Sequence, residues 1–258
     1  MVKKTAEVIS QCCLAEGIFD LRLSVPEIAK EAKAGQFVNV YSKDASKLLP
    51  RPISLCQIDK EEGNIRLVYR VTASCSGTAE FSRLQSGDKI DVLGPLGNGY
   101  ELNTQKPILV GGGIGVPPML ELGREFAEQG KEVTFVLGYR NNELFLADEF
   151  QKYGKLIIST DDGSVGVHGT VVDAIRLAEL EGDAFYSCGP TPMLKGLKEL
   201  ALEWNMPAYL SLEQRMACGI GACLACVCKT KEKDEHSQVN NARVCVEGPV
   251  FEARKVEL

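Results

Sequence analysis

Long apolar runs, basic clusters and internal repeats are all missing from this 258-residue sequence. No window reaches the roughly 18 apolar residues that a membrane-spanning helix needs, so no membrane segment is expected. Residues 1–10 lack the apolar centre of a signal peptide, and the chain is read as cytoplasmic. Lys and Arg form no run and the net charge is -6, which removes nucleic-acid binding, since phosphate contacts need clustered cations. Histidine is scarce too: His168 and His236 are the only two, and both are read as bystanders, His168 in a loop or capping position ahead of a helix.

What the chain does have is cysteine. Ten cysteines in a reducing compartment do not suggest a disulfide framework, so a tight cluster among them is tested first as a metal or redox site. With 45% hydrophobic and 25% charged residues the chain is an ordinary globular one, long enough for one large domain or two to three small ones.

Three regions differ in hydrophobic period. Up to residue 98, short β-rich runs (Ile18 to Val25, Phe37 to Tyr41, Ile65 to Val71) predict an antiparallel β-barrel, interrupted by one helix over Thr78 to Leu84. The Gly- and Pro-rich stretch Gly94 to Gly99 reads as a boundary. Residues 99–210 alternate apolar strands (Pro107 to Val110, Val133 to Leu137, Leu156 to Ser159, Ala184 to Ser187) with helices (Met119 to Gln129, Val171 to Leu180, Met193 to Glu203), which predicts an α/β domain on a parallel sheet. Residues 211–258 form a small C-terminal module with five of the cysteines, and Lys229 to His236 is a charged, solvated hairpin tip.

Within that module Cys218, Cys223, Cys226 and Cys245 have the spacing C-x4-C-x2-C-x18-C, whose first three positions match the plant-type [2Fe-2S] run. Gly219 and Gly221, with Ala217, Ala222 and Ala225, make a small-residue loop that lets backbone N–H groups approach the sulfurs. Four cysteines can also hold structural zinc, which favours two C-x2-C knuckles where this chain has one. Cys228 shares a strand face with Cys226 and is read as a packed residue, although its position leaves a donor role open. Cys245 is taken as the fourth ligand because no other cysteine lies downstream of Cys228.

Arg51-Pro52-Ile53-Ser54 opens a predicted strand, followed by Tyr69-Arg70-Val71 and by Gly77-Thr78 at a helix start. In this order they resemble the FAD signature of the ferredoxin-reductase family. The resemblance implies that Arg51 pairs with the flavin diphosphate and that the Ser54 hydroxyl lies near the flavin N5. Residues 72–76 make the segment longer than that subfamily's pattern, and their flavin contacts stay open. Gly111-Gly112-Gly113-Ile114-Gly115-Val116-Pro117-Pro118 is not the G-x-G-x-x-G fingerprint, yet a glycine turn opening a helix has the mechanics of a pyrophosphate site. The same family carries this variant together with a Cys-Gly-Pro segment, here Cys188-Gly189-Pro190. There the thiol lies beside nicotinamide and flavin. Arg140, where an acidic residue would select NAD, leaves NAD and NADP undecided by local chemistry.

Domain order, these motifs and the segment Glu213 to Cys223 together resemble the electron-transfer subunit of type B dihydroorotate dehydrogenase, over nearly the whole chain. The resemblance implies FAD, one [2Fe-2S] cluster, NAD rather than NADP, and an FMN-containing catalytic subunit as partner in a heterotetramer of two of each. A subunit of an NAD(P)H-dependent ferredoxin or sulfur reductase would share the order, and a nucleotide-binding module with a zinc knob is the reading from another class.

Overall fold

The computed structural model describes residues 1–233 and 238–258. His236 and the tip of the charged loop lie outside the described residues.

The N-terminal region is a closed antiparallel barrel. Its strands are β1 (Val2–Ala15), β2 (Ile18–Ser24), β3 (Phe37–Val40), β4 (Arg51–Asp59), β5 (Asn64–Arg70) and β6 (Lys89–Leu96), in the order β1-β2-β5-β4-β3-β6. Period-two burial along β6 turns Ile90 and Val92 inward against Val8, Leu21, Leu67 and Phe81. The short helices α1 (Pro26–Ala29) and α2 (Gly77–Phe81) add Ile28, Ala29 and Phe81 to the barrel core. The expected helix over Thr78 to Leu84 is thus one residue earlier and ends at Phe81. β6 also continues through Gly94 and Pro95, so the expected boundary stretch begins inside the last barrel strand.

The α/β region builds a seven-stranded sheet on β7 (Pro107–Gly112), β8 (Thr134–Tyr139), β9 (Lys155–Thr160), β10 (Val167–His168), β11 (Ala184–Cys188), β12 (Ala208–Ser211) and β15 (Val250–Glu252), in the order β10-β9-β8-β7-β11-β12-β15. All pairs are parallel except β12 with β15. β7 is buried at every residue, as a central parallel strand covered on both faces must be. α3 (Val116–Glu128), α4 (Ala147–Phe150), α5 (Val171–Leu177) and α6 (Thr191–Glu203) cover it. α3 starts three residues before the expected Met119, because Pro117 and Pro118 occupy a first turn whose N–H groups need no intrahelical acceptor. His168, expected in a loop, lies in the two-residue strand β10, and the cap of α5 is Thr170.

The cysteine module contributes the hairpin β13 (Val227–Lys229) and β14 (Asn241–Arg243), and then returns as β15 to the edge of the large sheet. Barrel and sheet are joined by a buried charge network. Arg66 on β5 holds Asp20 on β2 at 2.8 Å and Glu149 on α4 at 2.7 Å.

Candidate functional site

Arg51 begins β4, and the first turn of α2 comes up beside it. A Cβ at Gly77 would fall 3.0 Å from the Arg51 Nε, so a side chain there would press on the guanidinium. Ser76 caps α2 by accepting from the Ala79 N–H, and Thr78 Oγ1 accepts from Thr72 N at 3.3 Å. The planar Arg51 cation therefore lies beside the opening turn of α2, an arrangement that suits a diphosphate. Tyr69 is turned the other way: buried, it donates its hydroxyl to Gln11 Oε1 at 2.9 Å and stacks against Phe19. Ile53 likewise points into the barrel core.

Ser54, three residues along β4, opens onto a cavity of about 530 Å³. Cys188 lines it too, together with the stem of the cysteine loop, Glu213 to Met216. Ser54 and Cys188, which the resemblance sets beside flavin and nicotinamide, thus line one space. Burial, then the charge of Glu213, pushes the Cys188 thiol up to about 12, against the opposing hydrogen bond with Ser211. It is a neutral thiol at physiological pH.

A second cavity of about 1230 Å³ runs along the carboxyl edge of the sheet, past Arg70, Val71, Gly112, Gly113, Gly115, Gly189 and Pro190. The glycines serve different ends. A Cβ at Gly115 would lie 2.3 Å from the Cys188 carbonyl oxygen, so packing between the two turns demands glycine there, whereas a Cβ at Gly112 or Gly189 would push aside the end of the Met193 side chain. Gly111 is buried behind the turn against Val116. Gly113 differs: its φ is +54° and a Cβ there would meet nothing nearer than Arg70 Nη2 at 4.0 Å. That leaves an open cradle with a guanidinium beside it, which fits a pyrophosphate. The buried Ser159 hydroxyl, which has no hydrogen-bond partner among the described residues, lines the same cavity.

Two lining residues escaped the sequence reading. Glu213 borders both cavities, and burial raises its carboxyl above the ordinary range while Arg70 opposes the rise. Asp161 follows β9 beside Arg140: its N–H donates to the Tyr139 carbonyl, and that of Asp162 to the Arg140 carbonyl. The missing acid beside Arg140 is therefore supplied by the neighbouring strand. Its signal in the sequence was only a strand followed by Asp161-Asp162-Gly163.

The four assigned cysteines come together as two pairs. Cys218 interacts with Cys223, and Cys226 with Cys245, whose strand end is tied back by a Val244 N–H to the Cys226 carbonyl. Among the described residues no three His, Cys, Asp or Glu side chains converge as on one ion. Two thiolate pairs are what a two-iron cluster takes, one pair to each tetrahedral iron, so the donor set fits. Gly219 and Gly221 both have positive φ, at +68° and +86°, and that curvature aims the Ile220 N–H at Cys218 Sγ, 3.4 Å away. Burial would raise the Cys218 thiol, yet N–H groups of Ile220, Cys223 and Ala222, with the Cys223 side chain, bring it down to about 7. Arg243 pairs with Glu247 and donates to the Gly221 carbonyl, bracing loop against strand. Cys228 is buried on β13 opposite Ala242.

The comparisons agree with this anatomy. Residues 5–100 match the oxidoreductase FAD-binding domain, 109–199 the oxidoreductase NAD-binding domain, and 213–257 the iron-sulfur cluster binding domain of dihydroorotate dehydrogenase B. The glycine turn and the last strand fall within these spans, and the FAD-domain match begins inside the first strand. In the solved structures, the NADH-dependent reduced ferredoxin-NADP oxidoreductase of flavin-based electron bifurcation superposes with a TM-score of 0.87 at 33% identity, over 98% of this chain and 89% of that one. The ferredoxin reductase of carbazole 1,9a-dioxygenase shares the fold, with a TM-score of 0.70 at 18% identity over 81% of this chain and 68% of that one. Among curated relatives, the dihydroorotate dehydrogenase B (NAD(+)) electron transfer subunit of Geobacillus thermodenitrificans is 44% identical over 97% of both chains, and that of Listeria innocua 44% identical over the full length of both. The chain belongs to the family of dihydroorotate dehydrogenase B electron transfer subunits.

Proposed function

We propose that this chain carries electrons between NAD(H) and a catalytic subunit that oxidises dihydroorotate, using FAD and one [2Fe-2S] cluster. The observation that carries the reading is the cavity shared by Ser54, Cys188 and the Glu213 to Met216 stem, since it surrounds one space with the flavin motif, the Cys-Gly-Pro edge and the arm leading to the cysteines. Flavin, when bound, supplies the exchange between hydride transfer and single-electron transfer that NAD and an iron-sulfur cluster require of a go-between.

The chain's own residues hold and orient. Arg51, Pro52 and the Gly77-Thr78 turn hold the flavin diphosphate end; Arg70, read from the sequence with the flavin motif, lines the second cavity and with Gly113 holds the NAD pyrophosphate instead. Ser54 donates a hydrogen bond to the flavin ring edge. Cys188, neutral, packs against the nicotinamide and excludes water rather than attacking it. Glu213, whose carboxyl burial raises, would hold a proton on its carboxyl oxygens at the cavity wall. Asp161 accepts from an adenosine ribose hydroxyl and repels a 2'-phosphate, which selects NAD beside Arg140. Cys218, Cys223, Cys226 and Cys245 hold the cluster. The partner is an FMN-containing subunit, assembled as two of each in the cytoplasm, and dihydroorotate has no site on this chain.

The isolated chain is expected to oxidise NADH with an artificial acceptor and to leave dihydroorotate untouched until the catalytic subunit is added. Dihydroorotate oxidation by the chain alone would refute the division of labour. The structural match to the NADH-dependent ferredoxin-NADP oxidoreductase supports a second reading, a ferredoxin reductase subunit. Electron delivery to ferredoxin, with none to or from dihydroorotate in the presence of the catalytic subunit, would establish it instead.

A further inference from the structure

Asn39 is an odd residue for its place. It sits in the middle of β3, wholly buried, with Pro52 of the flavin motif opposite it on β4 and Leu93 opposite it on β6. Its neighbours Val38 and Val40 point into the barrel core, so by strand alternation Asn39 points outward, toward the cysteine module. There its Nδ2 donates to the Cys218 carbonyl at 3.0 Å, while its Oδ1 is buried with no partner among the described residues. The loop presses close: a Cβ at Gly219 would lie 2.4 Å from Nδ2. Burying an amide with only one end satisfied is unfavourable, and an apolar side chain would suit the barrel's stability better.

A second amide grips the other half of the cysteine set. At the exit from β6, Asn98 Nδ2 donates to the Val246 carbonyl at 2.9 Å and the Glu247 carbonyl at 3.2 Å, one and two residues past Cys245, and its backbone N–H donates to the Gly248 carbonyl. Each cysteine pair is therefore tied to the flavin barrel by one asparagine. Asn98 is exposed and Asn39 buried, so Asn39 carries the stiffer tether.

We propose that Asn39 is a positioning residue that fixes the cysteine loop, and with it the iron site, at a set separation from the flavin strand β4. This rests on the functional reading above, because separation matters only if electrons cross between the two. Asn39 touches neither reacting group; it acts through the Cys218 backbone and through the Pro52 pairing on the far side of its own strand.

The test uses the full chain with its cofactors. Asn39→Leu, close in size and lacking the donor, is compared with the unsubstituted protein by rapid mixing with NADH, by potentiometric titration of both cofactors and by hydrogen exchange. The expected result is an unchanged flavin-reduction phase, unchanged iron content and potentials, a cluster-reduction phase slowed several-fold, and faster exchange in residues 216–225 while β3 and β4 keep their protection. Equal cluster-reduction rates and equal exchange would overturn the proposal. If the leucine costs the protein its iron, Asn39→Asp, of the same size, is read by the same measurements. Iron loss in both variants would overturn the assignment by making Asn39 a requirement for cluster retention instead of spacing. Absence of any flavin phase in the unsubstituted chain would strike the functional reading, whereas hydrogen exchange, which needs no electron flow, would still report whether the tether exists.

Discussion

Burial decides which of the thiols outside the iron site can react. Cys188 and Cys56 are enclosed, and burial raises both thiols, Cys188 to about 12, whereas Cys12, Cys13 and Cys75 are exposed. A thiol reacts through its thiolate, so at pH 8 iodoacetamide is expected to label Cys75 and the Cys12-Cys13 pair and to spare Cys188 and Cys56 in the folded protein. Peptide mass analysis after brief labelling reads this directly. Rapid labelling of Cys188 would mean an open or charged site and would remove the packing role given to it. The charge of Asp161 is a second residue-scale matter. Asp161→Ser is expected to raise the kcat/KM ratio of NADPH to NADH by about tenfold, since one charge removed beside Arg140 is worth roughly 1.4 kcal/mol of discrimination. Dye-linked assays with both nucleotides measure it, and an unchanged ratio would take Asp161 out of the selection.

At the level of elements, Arg66 shows how the barrel and the sheet are held together. Its guanidinium takes Asp20 from β2, Gln57 from β4 and Glu149 from α4, and is itself 5% exposed, so solvent screens the Asp20 pair little. Arg66→Ala would strand the buried Asp20 carboxylate, at a cost of about 3–5 kcal/mol, read as a lower midpoint in denaturant. The hydrogen bond from Arg66 holds the Glu149 carboxyl below its ordinary value of 4.5. A depressed carboxylate contributes stability that is complete above that ordinary value and is lost as pH falls through the folded one. Thermal midpoints should therefore drop below about pH 4.5, and Glu149→Gln should flatten that limb; equal slopes would show the pair to be neutral.

This network also marks the limit of what the sequence can tell. Alternation of period along the chain made the barrel and the parallel sheet legible, and the C-x4-C-x2-C run made a [2Fe-2S] loop the expected reading, because both signals are local. Arg66, Asn39 and Glu213 carry no such signal. Each matters through a partner 46 or more residues away, as Arg66 with Asp20 or Asn39 with Cys218, and only the closed fold brings them together. The same reason hid the true extent of β6: its Gly94-Pro95 looks like a break in one dimension, while pairing with Val2 on β1 keeps it in the barrel.

On the scale of the whole molecule, the cysteine module is not an appendage. Its last strand, β15, completes the large sheet against β12, and Val244, Ala253 and Val256 sit in the same core as Ile108, Phe185 and Leu210. Gly97 makes room for this return, since a Cβ there would collide with Pro249 at 2.5 Å. Lys198 on α6 donates to the Val256 carbonyl at 2.6 Å. A chain ending at Leu212 would lose two fully buried valines, worth about 3–6 kcal/mol together, and would bare the N–H and C=O groups along β12. Set against a typical domain stability of about 5–15 kcal/mol, that is a large fraction. The truncated chain is expected to melt well below the full one and to aggregate through the exposed edge. Removal of 250–258 alone should do much the same, although all four cysteines of the iron site remain. Scanning calorimetry and light scattering on the two truncations decide the matter: a 1–212 chain as stable and monomeric as the full protein would show that the sheet needs no seventh strand, and that the iron-bearing segment is an independent unit after all.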